Sequence, residues 1–285
     1  MPELPEVEVL ARHLAPLLKG RTIHAVSVNR SRVLAPTSEP EFISTLAGTN
    51  IKELVRRGKY LLFTLQKANG SAPFILLGHL GMTGRMFVSP KSAPLPKHAA
   101  VVLDLGAENF IFQDTRYFGR LTLDASAIAK LGPEPLGPKF TVNYFADALK
   151  RSTQSIKVKL LDQMLVAGIG NIYASEALFR AGISPRIPAR KLTPAQVKTL
   201  HGAIRQVLTR AIRLGGSIPL DFSGEEPEND GLFYYGSAGN QRRKFEERFW
   251  VYDRADKPCL ECGRTLRRIV QGARSTFYCP GCQPS

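Results

Sequence analysis

The sequence predicts an α+β protein of several domains, and three patterns along the chain carry that prediction. From about residue 22 to residue 123, short β-rich runs alternate with turn residues, which is typical of an antiparallel sandwich or barrel-like domain. From residue 143 to residue 216, apolar residues recur at helical spacing instead. The last twenty-seven residues contain all four cysteines of the chain, arranged as two Cys-x2-Cys pairs.

The N-terminal segment predicts an amphipathic helix over residues 5–18. Pro5 is followed by acidic residues, which suit the first turn of a helix, and Val7, Leu10 and Leu14 share one face. The β-rich runs that follow cover residues 51–66 with a break at Gly58, 74–80, 99–105, 110–113 and 119–123.

Five Pro or Gly residues in the eight residues 131–138 predict a linker. Beyond it the pattern predicts helices over 143–150 and 156–166, a helix capped by Asn171 that runs to Gly182, and a helix from Thr193 to Gly215. The segment 217–240 lacks periodicity and predicts a mobile surface loop. The predicted domains are 2–130, a linker over 131–142, a helical domain over 143–240 and a terminal domain over 241–285.

The terminal domain has the spacing of a four-thiolate zinc ribbon. Two residues separate the cysteines within each pair and sixteen residues separate the pairs, so each pair can form a tight turn and supply two corners of a tetrahedron. Two disulfides or four unrelated thiols are the alternatives, but no other cysteine and no secretory signal indicate an oxidising compartment. We expect one structural zinc ion, whose binding stabilises a ribbon that has almost no core. Its ligands would be Cys259, Cys262, Cys279 and Cys282.

The charge balance predicts a polyanionic partner. Thirty-nine Lys and Arg against twenty-four Asp and Glu leave a formal net charge of +15 and a pI near 9.9, which favours nucleic acid, although a merely solvated basic surface is an alternative. No apolar run is long enough for a membrane span and the N-terminus lacks a signal-peptide pattern. We therefore expect a cytoplasmic protein without a membrane partner.

The N-terminus has the residues for covalent catalysis. When a small residue follows the initiator Met, that Met is commonly removed, which would expose the secondary amine of Pro2. An α-amino group titrates near ~8, so part of it is unprotonated at neutral pH and can attack an aldehyde-like carbon to give an iminium. Glu3 beside it can move protons. The alternative is an ordinary frayed terminus.

Several loops carry further candidates. Lys59 lies on a turn between β-rich runs and can meet a phosphate or act as an acid, or be a solvated hairpin tip. The loops at 78–84 and 114–119 expose Met82, Arg116 and Phe118, and apolar wedges beside an Arg are how proteins unstack DNA; packed turns are the alternative. The segment 168–171 would aim backbone N–H groups at an anion, or be an ordinary capped helix pair.

Taken together, these motifs resemble bacterial formamidopyrimidine-DNA glycosylase. The resemblance rests on residues 1–8, 78–84, 114–119, 131–135 and 168–174 with Glu176, and on the terminal ribbon with Arg274. It implies an N-terminal β-sandwich with flanking helices, then a helix-two-turn-helix domain joined to a zinc ribbon, with damaged double-stranded DNA held in the cleft between them. A monomer is compatible with such an arrangement.

The resemblance also implies roles for individual residues. Pro2 would attack the sugar C1′ of an oxidised purine nucleotide, and Glu3 would protonate the sugar ring oxygen. Lys59 would donate a proton in β-elimination, and Arg274 would bind phosphate and assist δ-elimination. The base must be flipped out of the duplex to be reached. Residues matching DNA-contacting positions of the family are His79, Met82, His98, Arg116, Phe118, Arg151, Lys157 and Asn171.

Three alternatives remain beside this interpretation. An endonuclease VIII-like enzyme would use the same chemistry on oxidised pyrimidines. A zinc-ribbon DNA-binding protein without catalysis would have the same charge and the same cysteines, but no use for a free proline amine. A damage sensor that flips the base without cutting would require Pro2 to be blocked by a retained Met1.

Overall fold

Contacts within the chain divide it into two compact units. The structure, a computed structural model, describes residues 2–215 and 249–284, so the predicted loop at 217–240 lies outside the described residues. Of the described residues, the first unit contains Pro2, Glu6–Ala129 and Gly215. The second contains Glu3–Pro5, Lys130–Leu214 and residues 249–284.

The first unit is an antiparallel β-sandwich with flanking helices. Its helices are α1 (Leu4–Leu18), whose first residues belong to the second unit, α2 (Glu39–Leu46) and α3 (Ser126–Ala129). Its strands are β1 (Ala25–Val28), β2 (Thr49–Arg57), β3 (Tyr60–Lys67), β4 (Phe74–His79), β5 (Gly84–Pro90), β6 (Ala99–Asp104), β7 (Glu108–Asp114) and β8 (Arg120–Thr122). They form two four-stranded sheets in the orders β1-β6-β7-β5 and β2-β3-β4-β8.

One core joins the two sheets to α1. Leu10 and Leu14 of the helix, Phe63 of β3 and Phe112 of β7 are at most 1% exposed and belong to one apolar cluster. The alternation along β3, where every second side chain is buried, is the pattern of a strand with one face on the core. These contacts fix the sheets whose connecting loops carry the predicted site residues.

The second unit is helical and ends in a two-stranded ribbon. Its elements are α4 (Val142–Lys150), α5 (Ile156–Leu160), α6 (Asn171–Arg180), α7 (Pro194–Gly215), β9 (Arg267–Gln271) and β10 (Arg274–Tyr278). A 3-10 turn, Ala189–Lys191, precedes α7. The helix α6 is buried from its second to its ninth residue and so lies inside the core of this unit.

A buried carboxylate attaches the segment before the ribbon to α6. Glu176 is 1% exposed and accepts the backbone N–H groups of Trp250, Val251 and Tyr252 at 2.8, 2.9 and 2.8 Å. Burial raises the pKa of Glu176, and the three backbone donors oppose that shift. Because a buried carboxylate is costly unless it is hydrogen-bonded, these contacts fix residues 250–252 on the helix.

The fold class predicted from the sequence is confirmed, with corrections to individual elements. The helix predicted over 156–166 ends at Leu160, because the Asp162 side chain accepts the N–H of Met164 and stabilises a turn there. The prediction that Asn171 caps α6 is also wrong: the N-cap is Gly170, and Asn171 is the first helical residue. The strands β1 and β5 and the helix α2 were not predicted.

Candidate active site and nucleic-acid interface

The N-terminus of α6 surrounds the carboxylate of Glu3. One oxygen, Oε2, accepts the N–H groups of Gly170 at 2.8 Å and Tyr173 at 3.3 Å, and Oε1 accepts that of Ile172 at 2.9 Å. The first N–H groups of a helix have no partner inside the helix and carry partial positive charge. The anion that the sequence predicts at this turn is therefore a side chain of the protein itself, and Glu3 is only 2% exposed.

Two glycines make this approach possible. Gly168 has a φ of +89°, and a Cβ there would lie 2.6 Å from Cδ1 of Leu4, whose N–H donates to the Gly168 carbonyl at 3.1 Å. A Cβ on Gly170 would lie 2.3 Å from both Cδ and Oε1 of Glu3. Side chains at either position would displace residues 3 and 4. Pro2 is buried and is joined by a peptide bond to Glu3, whose carboxylate these hydrogen bonds hold in place.

Buried Lys157 and half-buried Asn171 form a chain of polar side chains beside Glu3. The Lys157 ammonium, 0% exposed, donates to Asn171 Oδ1 at 2.6 Å, and Asn171 Nδ2 donates to the Ser275 carbonyl on β10 at 2.8 Å. Burial lowers the pKa of Lys157 to about 8; the charge of Glu3 opposes the shift and that of Arg274 adds to it. The chain fixes the orientation of the Asn171 amide.

Arg274 begins β10 on the exposed side of the ribbon hairpin. Gly272 and Ala273 form its turn with φ angles of 54° and 57°, as a two-residue hairpin turn with the native strand twist requires. The hairpin is attached to the helical part by Gln271, whose Nε2 donates to Ser155 Oγ at 3.1 Å and to the Pro185 carbonyl at 3.3 Å. The guanidinium of Arg274 is therefore presented by a rigid support.

In the first unit, Lys59 and His79 lie close together at the ends of neighbouring strands. Lys59 follows Gly58 in the β2–β3 turn and is 7% exposed, so it is not a solvated hairpin tip. His79 Nδ1 accepts the N–H of Gly81 at 3.1 Å, so its other nitrogen, Nε2, carries the proton of the neutral ring. Burial, with the charges of Lys59 and Arg120, lowers the pKa of His79 to about 4. His79 is therefore an uncharged donor at neutral pH.

Two loops of the first unit present Met82, Arg116 and Phe118 at the surface. Met82 is 41% and Phe118 51% exposed, and the Arg116 guanidinium lies 5.6 Å from the Phe118 ring centroid. Asp114, 0% exposed, accepts the hydroxyl of Thr83 and the N–H groups of Arg116 and Gly119. One buried carboxylate thus fixes both loops and leaves three large side chains exposed.

The remaining predicted contacts are distributed over both units. His98 has a φ of 63°, and its Nδ1 lies 3.2 Å from the hydroxyl of Tyr117, whose φ is 53°. The Cζ atom of Arg30 also lies over the Tyr117 ring, 5.4 Å from its centroid. Sequence reasoning missed Tyr117, although it stands between Arg116 and Phe118 in the same motif. Arg151 is exposed at the end of α4.

The four cysteines satisfy the geometry of a zinc site. Their Sγ atoms all lie within 4.8 Å of one another, with Cys259 and Cys282 at 3.9 Å and Cys262 and Cys279 at 3.4 Å. A tetrahedral zinc with thiolates at ~2.3 Å requires sulfur separations of ~3.8 Å. The side chain of Gln283 accepts the N–H of Cys279 and donates to the Ile183 carbonyl, which anchors the second cysteine pair to the helical part.

Among the residues that the structure describes, no helix combines the length and apolar character that crossing a membrane requires.

Comparison with family models assigns each region of the chain. Residues 1–121 match the formamidopyrimidine-DNA glycosylase N-terminal domain and residues 131–222 match the formamidopyrimidine-DNA glycosylase H2TH domain. Residues 256–284 match the zinc finger found in FPG and IleRS. With the sulfur geometry above, this last match identifies the four cysteines as the site of one structural zinc ion.

Curated relatives and solved structures agree with the models. The formamidopyrimidine-DNA glycosylase of Chloroflexus aurantiacus is 43% identical over 99% of this chain and 98% of its own length, and that of Bacillus licheniformis is 39% identical over 99% of both. The Lactococcus lactis enzyme bound non-covalently to AP-site DNA is 31% identical, with a TM-score of 0.83 over 99% of this chain and 100% of that one. A mutant of that enzyme with Fapy-dG containing DNA is 32% identical, with a TM-score of 0.84 over all of both chains. The chain belongs to the formamidopyrimidine-DNA glycosylase family.

Proposed function

We propose that this protein is a bifunctional DNA glycosylase and AP lyase of base-excision repair, with Pro2 as its nucleophile. Its substrates are oxidised purines, such as 8-oxoguanine and formamidopyrimidines, in damaged double-stranded DNA. Family membership supports the activity, and solved relatives are bound to AP-site and Fapy-dG containing DNA. The observation that carries the assignment of the nucleophile is the Glu3 carboxylate, buried and held by three backbone N–H groups one residue from Pro2.

The proposed reaction uses Pro2 and Glu3 on the sugar. The unprotonated amine of Pro2 attacks C1′, and the glycosidic bond breaks so that the base leaves with the bonding electrons. Glu3 takes the proton that the Pro2 nitrogen loses and passes it to the ring oxygen O4′, so that the sugar ring opens and an iminium forms between C1′ and the Pro2 nitrogen. Holding the carboxylate and the amine in one geometry supplies much of the rate, because positioned groups need no further ordering.

The strand is then cut by elimination from the same intermediate. The iminium withdraws electrons and acidifies the C2′ proton, whose removal expels the 3′ phosphate; a second elimination expels the 5′ phosphate, and water releases the enzyme by hydrolysis. We assign proton donation in the first step to Lys59 and phosphate binding in the second to Arg274. The buried position of Lys59 and the rigid turn before Arg274 support these roles.

The other polar residues are proposed to hold the DNA backbone. Asn171 contacts phosphate through its amide, and Lys157, which is 0% exposed, acts by orienting that amide. His79 offers a neutral N–H, and His98 and Arg151 add further backbone contacts. Together such groups fix the register of the duplex without reading its sequence.

Met82, Arg116 and Phe118 are proposed to fill the space that the flipped nucleotide leaves. Apolar wedges of this kind stabilise a kinked, partly unstacked duplex. We further propose that the protein acts as a monomer in the cytoplasm, because each chain carries the complete set of proposed catalytic residues and the named relatives are bacterial.

The assignment of Pro2 is tested by borohydride trapping on a duplex with one 8-oxoguanine opposite cytosine. We expect the wild-type protein to form an adduct that mass spectrometry maps to Pro2. The Glu3→Gln variant should excise the base more slowly than the wild type by a factor of ~10²–10⁴, the usual contribution of a general acid. Pro2→Gly, which replaces the secondary amine, should trap more slowly, and Glu41→Gln, an exposed carboxylate, is the control.

Other outcomes of the same experiment would change the assignment. Adduct formation only on a parallel thymine glycol duplex would favour the endonuclease VIII-like alternative. Tight, damage-specific binding without an adduct on either duplex would make the protein a reader of damage.

Gly170→Ala should impair catalysis more than folding. The added methyl would lie 2.3 Å from the Glu3 carboxyl group, so the carboxylate must move, and misplacement by about 1 Å costs roughly 10²-fold in rate. Single-turnover excision measures this loss, and unfolding is followed by circular dichroism. Gly202→Ala in α7, where nothing lies within 4 Å of the new Cβ, should keep full activity and gain roughly 0.5–1 kcal/mol of stability. Equal activity of both variants would contradict the role of Glu3.

Phe118→Ala should slow excision of 8-oxoguanine more than cleavage of a preformed AP site. Loss of the exposed ring removes a group that stabilises the unstacked duplex, and unstacking costs a few kcal/mol for an intact nucleotide but less where no base is present. Single-turnover rates on the two substrates give the comparison. Leu95→Ala, which truncates another exposed apolar side chain of the first unit, is the control. Equal slowing on both substrates would rule out a wedge.

The buried Lys157 should give the protein a distinct dependence of stability on pH. Its pKa of about 8 in the folded protein lies below the ordinary ~10.4 of the unfolded chain, so between these values the unfolded chain binds more protons and stability rises with pH. From about pH 7.5 to 9.5, the wild type should gain roughly 1–2 kcal/mol in unfolding free energy relative to Lys157→Met in urea titrations. Lys150→Met removes an exposed lysine, so the difference in unfolding free energy between the wild type and this variant should not change with pH. If the difference between the wild type and Lys157→Met is also independent of pH, the charge effect of Lys157 is excluded.

A further inference from the structure

One stretch of the helical part of the second unit contains basic residues but no acidic ones. Residues 177–215 contain eight Lys or Arg and no Asp or Glu. Within this stretch Arg190 and Lys191 are adjacent and exposed in the 3-10 turn before α7. Neither residue, nor Arg151, forms an ion pair with any residue in the described ranges 2–215 and 249–284. Their charges are therefore not neutralised within that part of the protein.

Backbone hydrogen bonds bring Arg190 and Lys191 beside Arg151. The N–H of Ala189 donates to the Gln154 carbonyl at 2.8 Å, and the N–H of Arg190 donates to the Ser152 carbonyl at 3.0 Å. Ser152 directly follows Arg151 at the end of α4. Lys150 adds a fourth cation, and its exposed partner Asp147 at 3.3 Å holds it only weakly. We call Lys150, Arg151, Arg190 and Lys191 the auxiliary basic surface.

The segment that bears this surface is continuous with the ribbon hairpin. Gln271, three residues before Arg274, donates to the Pro185 carbonyl at 3.3 Å. Arg186 donates to the hydroxyl of Tyr278 on β10 at 2.8 Å, and its guanidinium lies 5.2 Å from the Tyr278 ring centroid. These hydrogen bonds therefore connect the hairpin that bears Arg274 to the segment that bears the auxiliary basic surface.

We propose that the auxiliary basic surface binds phosphates of the DNA duplex outside the damaged nucleotide and so extends the footprint of the second unit. This inference rests on the proposed function. Exposed Arg and Lys on a fixed backbone suit phosphate oxygens, since guanidinium groups bind them in a bidentate manner. Contacts of this kind add affinity that is independent of sequence and lesion, and they release bound counterions. The surface therefore contributes to scanning and holding the duplex, and not to chemistry.

The salt dependence of binding to an undamaged duplex tests the proposal. For the full-length zinc-bound protein, the plot of log K against log salt concentration should become shallower by about 1.8 in the double variant Arg190→Gln/Lys191→Gln, because each lost phosphate contact removes about 0.9. Arg190→Lys/Lys191→Arg should restore the wild-type slope. The matched control is Lys52→Gln/Lys67→Gln, which removes the same net charge from exposed positions of the first unit.

Three outcomes would overturn the proposal. Equal slopes for the double variant and the wild type would mean that no phosphate is bound there. An equally reduced salt-dependence slope in the double variant and in Lys52→Gln/Lys67→Gln would mean that binding depends only on the net charge of the protein. If the double variant has a reduced slope on an RNA duplex but the wild-type slope on DNA, the surface would be assigned to RNA as its partner.

A second measurement separates this proposal from the proposed function. Borohydride trapping on the 8-oxoguanine duplex at saturating enzyme should proceed at the wild-type rate in Arg190→Gln/Lys191→Gln, and a slower rate would place these residues in the chemical step instead. If the wild type itself traps nothing, the proposed function fails, while the salt slopes on undamaged DNA still decide whether the surface binds phosphate.

Discussion

The hydrogen bonds from the first turn of α6 to the Glu3 carboxylate are the constraint on which the rest of the site depends. A carboxylate that is 2% exposed is tolerated only when hydrogen bonds replace its water. Three backbone N–H groups at the positive end of a helix do so here. Chain termini usually fray, whereas here hydrogen bonds of Glu3 and Leu4 to residues 168–173 hold the segment next to Pro2. A terminal amine in such a position can serve as a nucleophile with defined geometry.

The same helix supports the ribbon as well as the N-terminus. Asn171, its first residue, links Lys157 to the Ser275 carbonyl of β10, and Glu176, one turn later, holds residues 250–252 by three more backbone donors. Lys157 and Glu176 are buried and polar, so removing a hydrogen-bond partner of either leaves it unsatisfied at a cost of about 1–3 kcal/mol. The apolar remainder of α6 lies in the core. Small shifts of α6 would therefore affect Glu3 and the zinc ribbon together.

Periodicity and spacing predicted the elements that depend on local sequence, and missed those that depend on distant contacts. The strands with clear alternation, α1, α7 and the zinc site follow from residue pattern alone. Asn171 was mistaken for a cap because the true acceptor, Glu3, is separated from Gly170 by 167 positions, and no local pattern records such a contact. The early end of α5 depends on one Asp side chain, and β1 has only four residues with no fully buried face. For the site, sequence showed which residues have the right chemistry, but not that Lys59 and Lys157 are buried.

Burial divides the basic residues of this protein into two kinds. Lys157 and His79 are desolvated and have lowered pKa values of about 8 and about 4, and both take part in hydrogen bonds with neighbouring groups of the protein. Arg274, Arg151 and Arg190 are exposed, and attraction between exposed basic side chains and phosphates weakens as salt rises. Under the proposed function, affinity for the duplex and positioning of the reacting sugar thus belong to different residues. If the proposed roles hold, substitution of the surface arginines changes the strength of DNA binding without moving the Glu3 carboxylate that lies next to Pro2.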